Sequence, residues 1–254
     1  MPELDTSAVL FAGGLLAGVL NAVAGGGSFV TFPLLLGAGL PPVVANATNA
    51  VAVWPGHAVA AYADRHQLGT ASRPLAASIA AAVGGAIAGA LLLGVVGNDR
   101  FRLLIPYLLL FATALFAAGP TMARYAAQQP GTGALPGRPW VRFACEFAMA
   151  TYGGFFGAGL GILLLAGLQL FGNGNLKTCN VLKNLLATLI GTVSVLVLIG
   201  AGWVSPGHAI WPFLGAALGG IAGARAARRL SSYWLRLAVI ATGLLLSIHY
   251  FLKT

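Results

Sequence analysis

Asn21-Ala-Val-Ala-Gly-Gly-Gly-Ser28 is the stretch that decides the fold, because a related stretch, Tyr152-Gly-Gly-Phe-Phe-Gly-Ala-Gly-Leu160, follows later in the chain. Gly27 stands opposite Gly159, 132 residues apart. Consecutive glycines are unfavourable inside a helix. Each stretch therefore predicts a break between two apolar helices.

The repeat continues beyond these glycines at a spacing of 135 residues. The matching positions are Thr48-Asn49 with Lys183-Asn184, Gly56 with Gly191, and Ala82-Val-Gly-Gly85 with Ala217-Leu-Gly-Gly220. Two related halves with glycine-broken apolar segments in corresponding places are typical of secondary transporters.

Composition predicts a membrane environment. Hydrophobic residues make up 58% of the 254 residues, charged residues only 7%, and the mean hydropathy is +0.88. An integral membrane protein is expected, and a water-soluble domain is excluded. The net charge of +9 does not indicate nucleic-acid binding, because the basic residues gather in a few loops. Cys145 and Cys179 lie in or beside apolar segments and predict neither a disulfide framework nor a metal site.

Apolar windows predict an all-α polytopic protein with five segments in each half. The segments are 6–24, 28–40, 43–63, 74–97 and 101–119, then 141–157, 159–171, 178–201, 207–227 and 233–252. The second segment of each half is too short to cross a bilayer, which takes about 20 residues. We expect these two segments to be half-helices that begin at the glycine tips within the membrane.

The distribution of lysine and arginine predicts the orientation. With the N-terminus outside, ten basic residues lie on the cytoplasmic side and three outside, in agreement with the positive-inside rule. The cytoplasmic residues are Arg65, Arg73, Arg124, Arg138, Arg142, Lys177, Arg225, Arg228, Arg229 and Arg236, and the outside residues are Arg100, Arg102 and Lys253. Because five is odd, the two repeats have inverted topology: residues 1–119 and 141–254, joined by a cytoplasmic linker at 120–140.

Polar residues inside this apolar background are the candidates for function, because an unpaired polar group in hydrocarbon is costly. They cluster at or just after the glycine tips: Asn21, Ser28, Thr31, Asn46, Thr48, Asn49 and His57 in the first half, and Thr151, Tyr152, Asn180, Lys183, Asn184, Thr188 and Thr192 in the second. A helix that begins at a glycine tip offers backbone N–H groups and the positive end of its dipole, which favour an anion.

Other glycines are better explained by helix packing. The spacing of Gly14 with Gly18, Gly153 with Gly157 and Gly215 with Gly219 is the small-residue pattern that lets helices approach closely. Packing is also the alternative explanation for the tips themselves.

Three titratable side chains inside predicted segments are candidates for charge or proton transfer. Lys183 either faces the cavity, where it supplies a fixed positive charge to an anion, or extends toward the cytoplasm. Glu146 either pairs with Arg142 or Lys183 or carries a proton. His57 is the second candidate for proton coupling, with an ordinary hydrogen-bonded histidine as the alternative.

Both halves resemble the TauE/SafE sulfite exporter family. The resemblance rests on residues 15–33 and on Gly39-Leu-Pro-Pro-Val-Val-Ala-Asn-Ala-Thr-Asn49 in the first half, and on Gly153–Gly161 and Lys177–Asn184 in the second. It spans about Leu10 to Phe251 and implies a transporter of small sulfur-containing or organic anions, such as sulfite or sulfoacetate, driven by an ion gradient. The second glycine motif lacks the serine of the first, so the two tips are expected to contribute unequally.

The sequence therefore predicts a secondary transporter of a small anion in the bacterial inner membrane, with no catalytic residue, no metal and no cofactor. The alternatives are a passive anion channel, a transporter of a carboxylate without sulfur, and, remotely, an intramembrane serine hydrolase that uses Ser28 and His57. The coupling ion considered is H⁺. The predicted substrate-binding residues are Asn21, Gly25, Gly26, Gly27, Ser28, Thr48, Asn49, His57, Tyr152, Gly157, Gly159, Lys183 and Asn184.

Overall fold

The computed structural model describes residues 2–23, 26–64, 75–127, 139–170, 176–226 and 232–253, and it is all-helical over these ranges. Within these ranges nine helices follow one another: α1 Pro2–Val23, α2 Ser28–Gly37, α3 Pro42–Asp64, α4 Leu75–Ala127, α5 Pro139–Phe155, α6 Leu160–Leu170, α7 Leu176–Gly200, α8 Pro206–Ala226 and α9 Ser232–Lys253. The predicted all-α class is confirmed.

Helix α4 carries two of the ten predicted segments. Its 53 residues would span about 80 Å if straight, far more than the hydrocarbon core of about 30 Å. Gly97 breaks it, with a φ of 71° and a ψ of 174°, into a first arm, residues 75–96, and a second arm, residues 98–127. A positive φ of this kind favours glycine, so this residue fixes the place of the break.

The lengths of the helices agree with a membrane protein that contains half-helices. Within the described ranges, the stretches long and apolar enough to cross a membrane are Asp5–Ala22, Leu75–Gly119, Thr178–Gly200 and Trp234–Lys253. Helices α2 and α6 have 10 and 11 residues and cover only about half of a hydrocarbon core. The short, broken helices predicted at the glycine tips are confirmed.

The linker differs from its predicted bounds. Helix α4 runs on to Ala127, and α5 begins at Pro139, so both ends of the predicted 120–140 linker are helical. Gly119-Pro120 favours a helix end at residue 119, but the helix continues through it, and neither proline nor glycine occurs between Pro120 and Gln128. Residues 128–138 lie outside the described residues.

Helices of the first half pack directly against helices of the second half. Helix α1 lies along α8, and a Cβ on Gly14 would come within 2.5 Å of the Cα of Pro212. The first arm of α4 lies along α5, where a Cβ on Gly85 would come within 2.5 Å of the carbonyl oxygen of Phe147. Backbones in such close contact leave no room for a side chain, which is how small residues join helices in lipid.

An aromatic cluster connects α2, the second arm of α4 and the end of α5. The ring centroids of Phe32 and Phe156 are 5.5 Å apart, as are those of Phe101 and Phe155, and both pairs meet edge to face. Pairs of this geometry stabilise a fold beyond the area they bury. The cluster anchors the chain just before the second glycine tip. The inverted orientation of the two halves stays a prediction.

Candidate functional site

The first tip, between α1 and α2, is held by close packing. The N–H of Gly27 donates to Oδ1 of Asn21 over 3.3 Å, and a Cβ on Gly27 would lie 2.9 Å from the carbonyl oxygen of Ala17. A Cβ on Gly26 would lie 2.9 Å from the side chain of Val239. Gly25, which was also predicted to bind substrate, lies outside the described residues.

The backbone at Gly27 is in the ordinary helical region, with a φ of −56°, so space rather than conformation requires glycine there. Several N–H groups of the tip already have acceptors in the chain. Those of Phe29 and Val30 donate to the carbonyls of Gly26 and Gly27 over 3.1 and 3.0 Å. These two N–H groups of the first tip are therefore engaged within the chain.

The second tip, between α5 and α6, is held by its conformation. Gly157 and Gly159 have φ values of 76° and 77°, in the left-handed region that favours glycine. The hydroxyl of Tyr152 donates to the carbonyl of Ala158 over 2.5 Å. Gly157 ends a helix in the usual way for glycine, so the prediction that it serves helix packing with Gly153 was wrong.

A network of hydroxyls and amides connects α2 to α3 beside the first tip. The hydroxyl of Thr31 donates to Oδ1 of Asn49, and Nδ2 of Asn49 donates to Oγ of Ser28 over 3.2 Å. The structure thus brings together the predicted residues Ser28 and Asn49, bonded to each other. Thr31, three residues after Ser28 on the same helix face, was among the polar candidates but not among the predicted substrate-binding residues.

Two neighbouring residues of α3 bind the second half. Nδ2 of Asn46 donates to the carbonyl of Phe155, the last residue of α5, over 2.8 Å. Oγ1 of Thr48 accepts the N–H of Ser205, just before α8, over 3.0 Å. Thr48 was predicted to bind substrate and is fully buried. Asn46 was a polar candidate but not a predicted substrate-binding residue, and Ser205 was in neither set. The segment from Asn46 to Asn49 is therefore a junction between the halves.

Helices α3 and α7 cross near His57. Nε1 of Trp54 donates to Oγ1 of Thr192 over 2.9 Å, and Oγ1 of Thr188 donates to the backbone carbonyl of His57 over 2.8 Å. Asn21 reaches the same crossing, because a Cβ on Gly56 would lie 2.8 Å from Nδ2 of Asn21. His57 thus lies between the two halves, close to the first tip.

Lys183 lies beside the second half-helix. Its Cδ is 3.9 Å from the position that a Cβ on Gly161 would occupy, in the first turn of α6. Lys183 and Asn184 are half-buried, and both take part in interactions within the chain. The positive side chain and the positive end of the α6 dipole are therefore neighbours.

Glu146 lies away from the tips and is paired. Its Oε1 accepts Nε of Arg142 over 2.8 Å, and the carboxylate is 4% exposed. Nη2 of Arg142 also donates to Oγ of Ser78 in α4 over 2.8 Å. The prediction that Glu146 pairs with Arg142 is confirmed.

Taken together, the candidate residues are neutral hydrogen-bonding groups at the first tip and at the junction of the halves, and one lysine beside the second half-helix. Across the described ranges, no group of three or more His, Cys, Asp or Glu side chains has the geometry of a metal site. Ser28 accepts from Asn49, which gives this hydroxyl an amide partner. The arrangement suits recognition of a small polar or anionic molecule.

Comparison with known proteins places these residues in a wider group. A family model described as "Sulfite exporter TauE/SafE" matches residues 10–250. The probable membrane transporter protein ORF9 of Sinorhizobium sp is 31% identical over 221 residues, which cover 84% of this chain and 81% of the relative. The probable membrane transporter protein YfcA of Escherichia coli strain K12 is 29% identical over 220 residues, which cover 83% of this chain and 78% of the relative. No solved structure matches significantly.

Proposed function

Because this chain belongs to the sulfite exporter TauE/SafE family and is a multi-pass membrane transporter, we propose that it moves a small anion of the sulfite, sulfoacetate or organosulfonate class. The transport is secondary and active, and it is coupled to an ion gradient. The protein resides in the bacterial inner membrane with its N-terminus outside. The halves rock about a site between them, in alternating access.

The position of Lys183 is the observation that carries this proposal. Gly161 lies about 14 Å along α6 from the end of that helix, and Lys183 about 10 Å along α7 from its start. The contact with Gly161 therefore directs the lysine stem toward the tip, away from the loop at residues 171–175. An ammonium and a helix N-terminus at one point favour an anion.

The partial burial of this site suits sulfonates and sulfite. Half-buried charges interact more strongly than exposed ones because water screens them less. The neutral groups of Asn49, Ser28 and Thr31 lie on the side of the first tip and add hydrogen-bonding capacity without further charge. A singly charged or doubly charged oxyanion matches one lysine and one helix dipole.

The decisive experiment is transport in sealed proteoliposomes. We expect purified protein to accumulate sulfite or sulfoacetate above its outside concentration when an ion gradient is imposed. A passive channel would only equalise the concentrations, and that result would refute secondary active transport. Sulfate and acetate serve as competitors, and stronger competition by acetate than by sulfoacetate would assign a carboxylate substrate instead.

Ligand binding provides the second test. Any ligand that binds the native state raises the melting temperature by mass action. We expect sulfite or an organosulfonate to raise the melting temperature of the detergent-purified protein more than sulfate or acetate at equal concentration. Equal shifts with all four anions would contradict a site that is selective for this substrate class.

A further inference from the structure

Asn46 has an unpaired oxygen deep inside the protein. Its side chain is 3% exposed, and Oδ1 is one of two buried side-chain atoms in the described residues that lack a hydrogen-bond partner, the other being Nη1 of Arg236. A buried acceptor without a partner carries the full cost of its desolvation. Because this oxygen lies at the junction of the two halves, it calls for a ligand.

The direction of the amide follows from its other end. Nδ2 donates to the carbonyl of Phe155 over 2.8 Å, and only the nitrogen of an amide can donate. Oδ1 is the other atom of the same amide, beside this contact, and it has no partner in the described residues. The carbonyl of Tyr152 in the last turn of α5 already accepts the N–H groups of Phe156 and Gly157, but the carbonyl of Phe155 keeps a second lone pair. Oδ1 of Asn46 and the carbonyl of Phe155 are therefore neighbouring oxygen acceptors at the negative end of a helix dipole.

The surroundings of this group are apolar. Ala45 and Ala47, on either side of Asn46, are fully buried, and the ring of Phe155 packs against Phe101. Oxygen acceptors at the negative end of a helix dipole repel an anion. A hydrogen-bond donor or a cation is the chemistry that fits. The site is thus opposite in sign to the one at Lys183.

The type of oxygen points to a monovalent cation. Divalent cations such as Ca²⁺ are usually held by carboxylates, whereas Asn46 and the end of α5 supply neutral oxygens. Neither Asn46 nor a backbone carbonyl titrates, so a proton has no group to occupy. Carbonyls at the end of a broken helix are typical ligands of Na⁺ in transporters.

We propose that Oδ1 of Asn46 and the carbonyl end of α5 bind a sodium ion, and that this ion couples to anion binding. The inference rests on the proposed function for its coupling and on the orphan oxygen for its site. Residues Phe156–Gly159 separate this end of α5 from α6, beside which Lys183 lies. The break between α5 and α6 thus presents the negative end of the α5 dipole to the cation and the positive end of the α6 dipole to the anion.

Coupling follows from the connections of the two ends. Asn46 belongs to the first half and Phe155 to the second, so a bound sodium ion would hold the halves together at the second tip. That tip also fixes the start of α6, and Lys183 of α7 lies beside this start. An ion that orders the tip should raise the affinity for the anion, and the anion should raise the affinity for sodium by the same factor.

The experiment measures the melting temperature of the detergent-purified protein in NaCl, KCl and choline chloride at equal ionic strength. We expect a saturable increase with Na⁺ and none with the other two cations. Asn46→Leu should abolish the sodium response while its melting temperature in KCl stays at or above that of the wild type, because leucine removes the unpaired oxygen. Ser247→Ala, which removes a buried hydroxyl bonded to Gly243, is the control and should retain the response.

Coupling is tested with sulfite in the same assay. We expect the apparent affinity for sulfite to be at least about fivefold higher in NaCl than in KCl, the usual lower range of coupling between two sites, and this difference to vanish in Asn46→Leu. Absence of a sodium response, or its persistence in Asn46→Leu, would overturn the inference, and an intact sulfite response would then leave the proposed function standing. A sodium response with no response to sulfite or to organosulfonates would instead refute the proposed substrate. A sulfite affinity equal in both salts would overturn the coupling.

Discussion

The two glycine tips occupy corresponding places in the repeat but are built differently. At the first tip the space for a side chain is filled by Ala17 and Val239, and the N–H of Gly27 is bound by Asn21. At the second, Gly157 and Gly159 are in the left-handed conformation, and Tyr152 binds a carbonyl. The same local interruption of a helix is thus maintained by packing in one half and by backbone conformation in the other.

The helices that follow the tips have diverged as well. Helix α2 carries Ser28 and Thr31, which Asn49 of α3 engages, whereas α6 is apolar at its start and has Lys183 of α7 beside it. Ser28, Thr31 and Asn49 of the first half therefore bond to one another, whereas Lys183 lies beside the half-helix of the second half. Under the proposed function, the charge that binds the anion belongs to the second half. The following predictions test it.

Topology gives the largest effect, because labelling is all or none. In a background with Cys145→Ser and Cys179→Ala, we expect Gly207→Cys to react with an impermeant maleimide only from outside. Gly131→Cys, which lies outside the described residues, should react only from the cytoplasm. Gly207 is exposed, and a side chain there meets no neighbour. Reaction of both from one face would refute the inverted halves.

Gly26→Val should abolish transport. The valine would need the space that Val239 and Phe116 occupy, so the first tip must move away from α9 and α4. Gly37→Ala, at the far end of the half-helix that follows this tip, has no atom near the new side chain; it is the control and should transport normally. Transport and elution as a single species are measured in parallel. Normal transport by Gly26→Val would remove the first tip from the site.

Lys183→Met should weaken anion binding by about ten- to a hundred-fold. Loss of a charge-assisted hydrogen bond in a partly desolvated site costs about 1.5–3 kcal/mol. Lys183→Arg should restore binding poorly, because a guanidinium is larger and planar. The measurement is the concentration of sulfite or sulfoacetate that gives half of the thermal shift. Unchanged binding in the methionine variant would place the ammonium away from the substrate.

Asparagine substitutions distinguish the two reasons why glycine is required at the tips: lack of space at Gly27 and left-handed backbone conformation at Gly157. Asparagine tolerates the left-handed region better than other residues with side chains. We therefore expect Gly157→Asn to be more stable than Gly157→Val. The free energy of unfolding of the valine variant should be lower than that of the asparagine variant by about 1–2 kcal/mol. At Gly27 no such rescue should occur, because Ala17 leaves no space. Equal rescue at both positions, measured by thermal unfolding, would contradict the comparison.

Ser28→Ala should have the smallest effect. The substitution removes the acceptor of Nδ2 of Asn49, which should lower the free energy of unfolding by about 0.5–1.5 kcal/mol, the net contribution of one hydrogen bond. Anion affinity should fall by a similar or smaller amount. Leu160→Ala at the corresponding place of the second half removes apolar packing instead and should leave the affinity unchanged. A loss of affinity as large as that of Lys183→Met would make Ser28 a principal ligand.

Local sequence determined the membrane class, the places of the helices and the two half-helices. Apolar length sets whether a segment can span a bilayer, and glycine sets where a helix ends. Both act over a few residues, and the predicted segments consequently match the helices within a few residues at most ends. The end of α4 differs from the predicted end at residue 119 because the prediction followed apolar residues, and the helix continues to Ala127 beyond them.

Tertiary structure alone decided the partners of the polar groups. Asn46 meets Phe155, 109 residues away, and Thr48 meets Ser205, 157 residues away. Composition marked Asn46 and Thr48 as costly in lipid, but it gave no direction for their side chains. That direction depends on how α3 is rotated between the two halves, and the contacts with Phe155 and Ser205 come from the second half. Long-range packing therefore determines which groups are satisfied and which, like Oδ1 of Asn46, are left without a partner in the described residues.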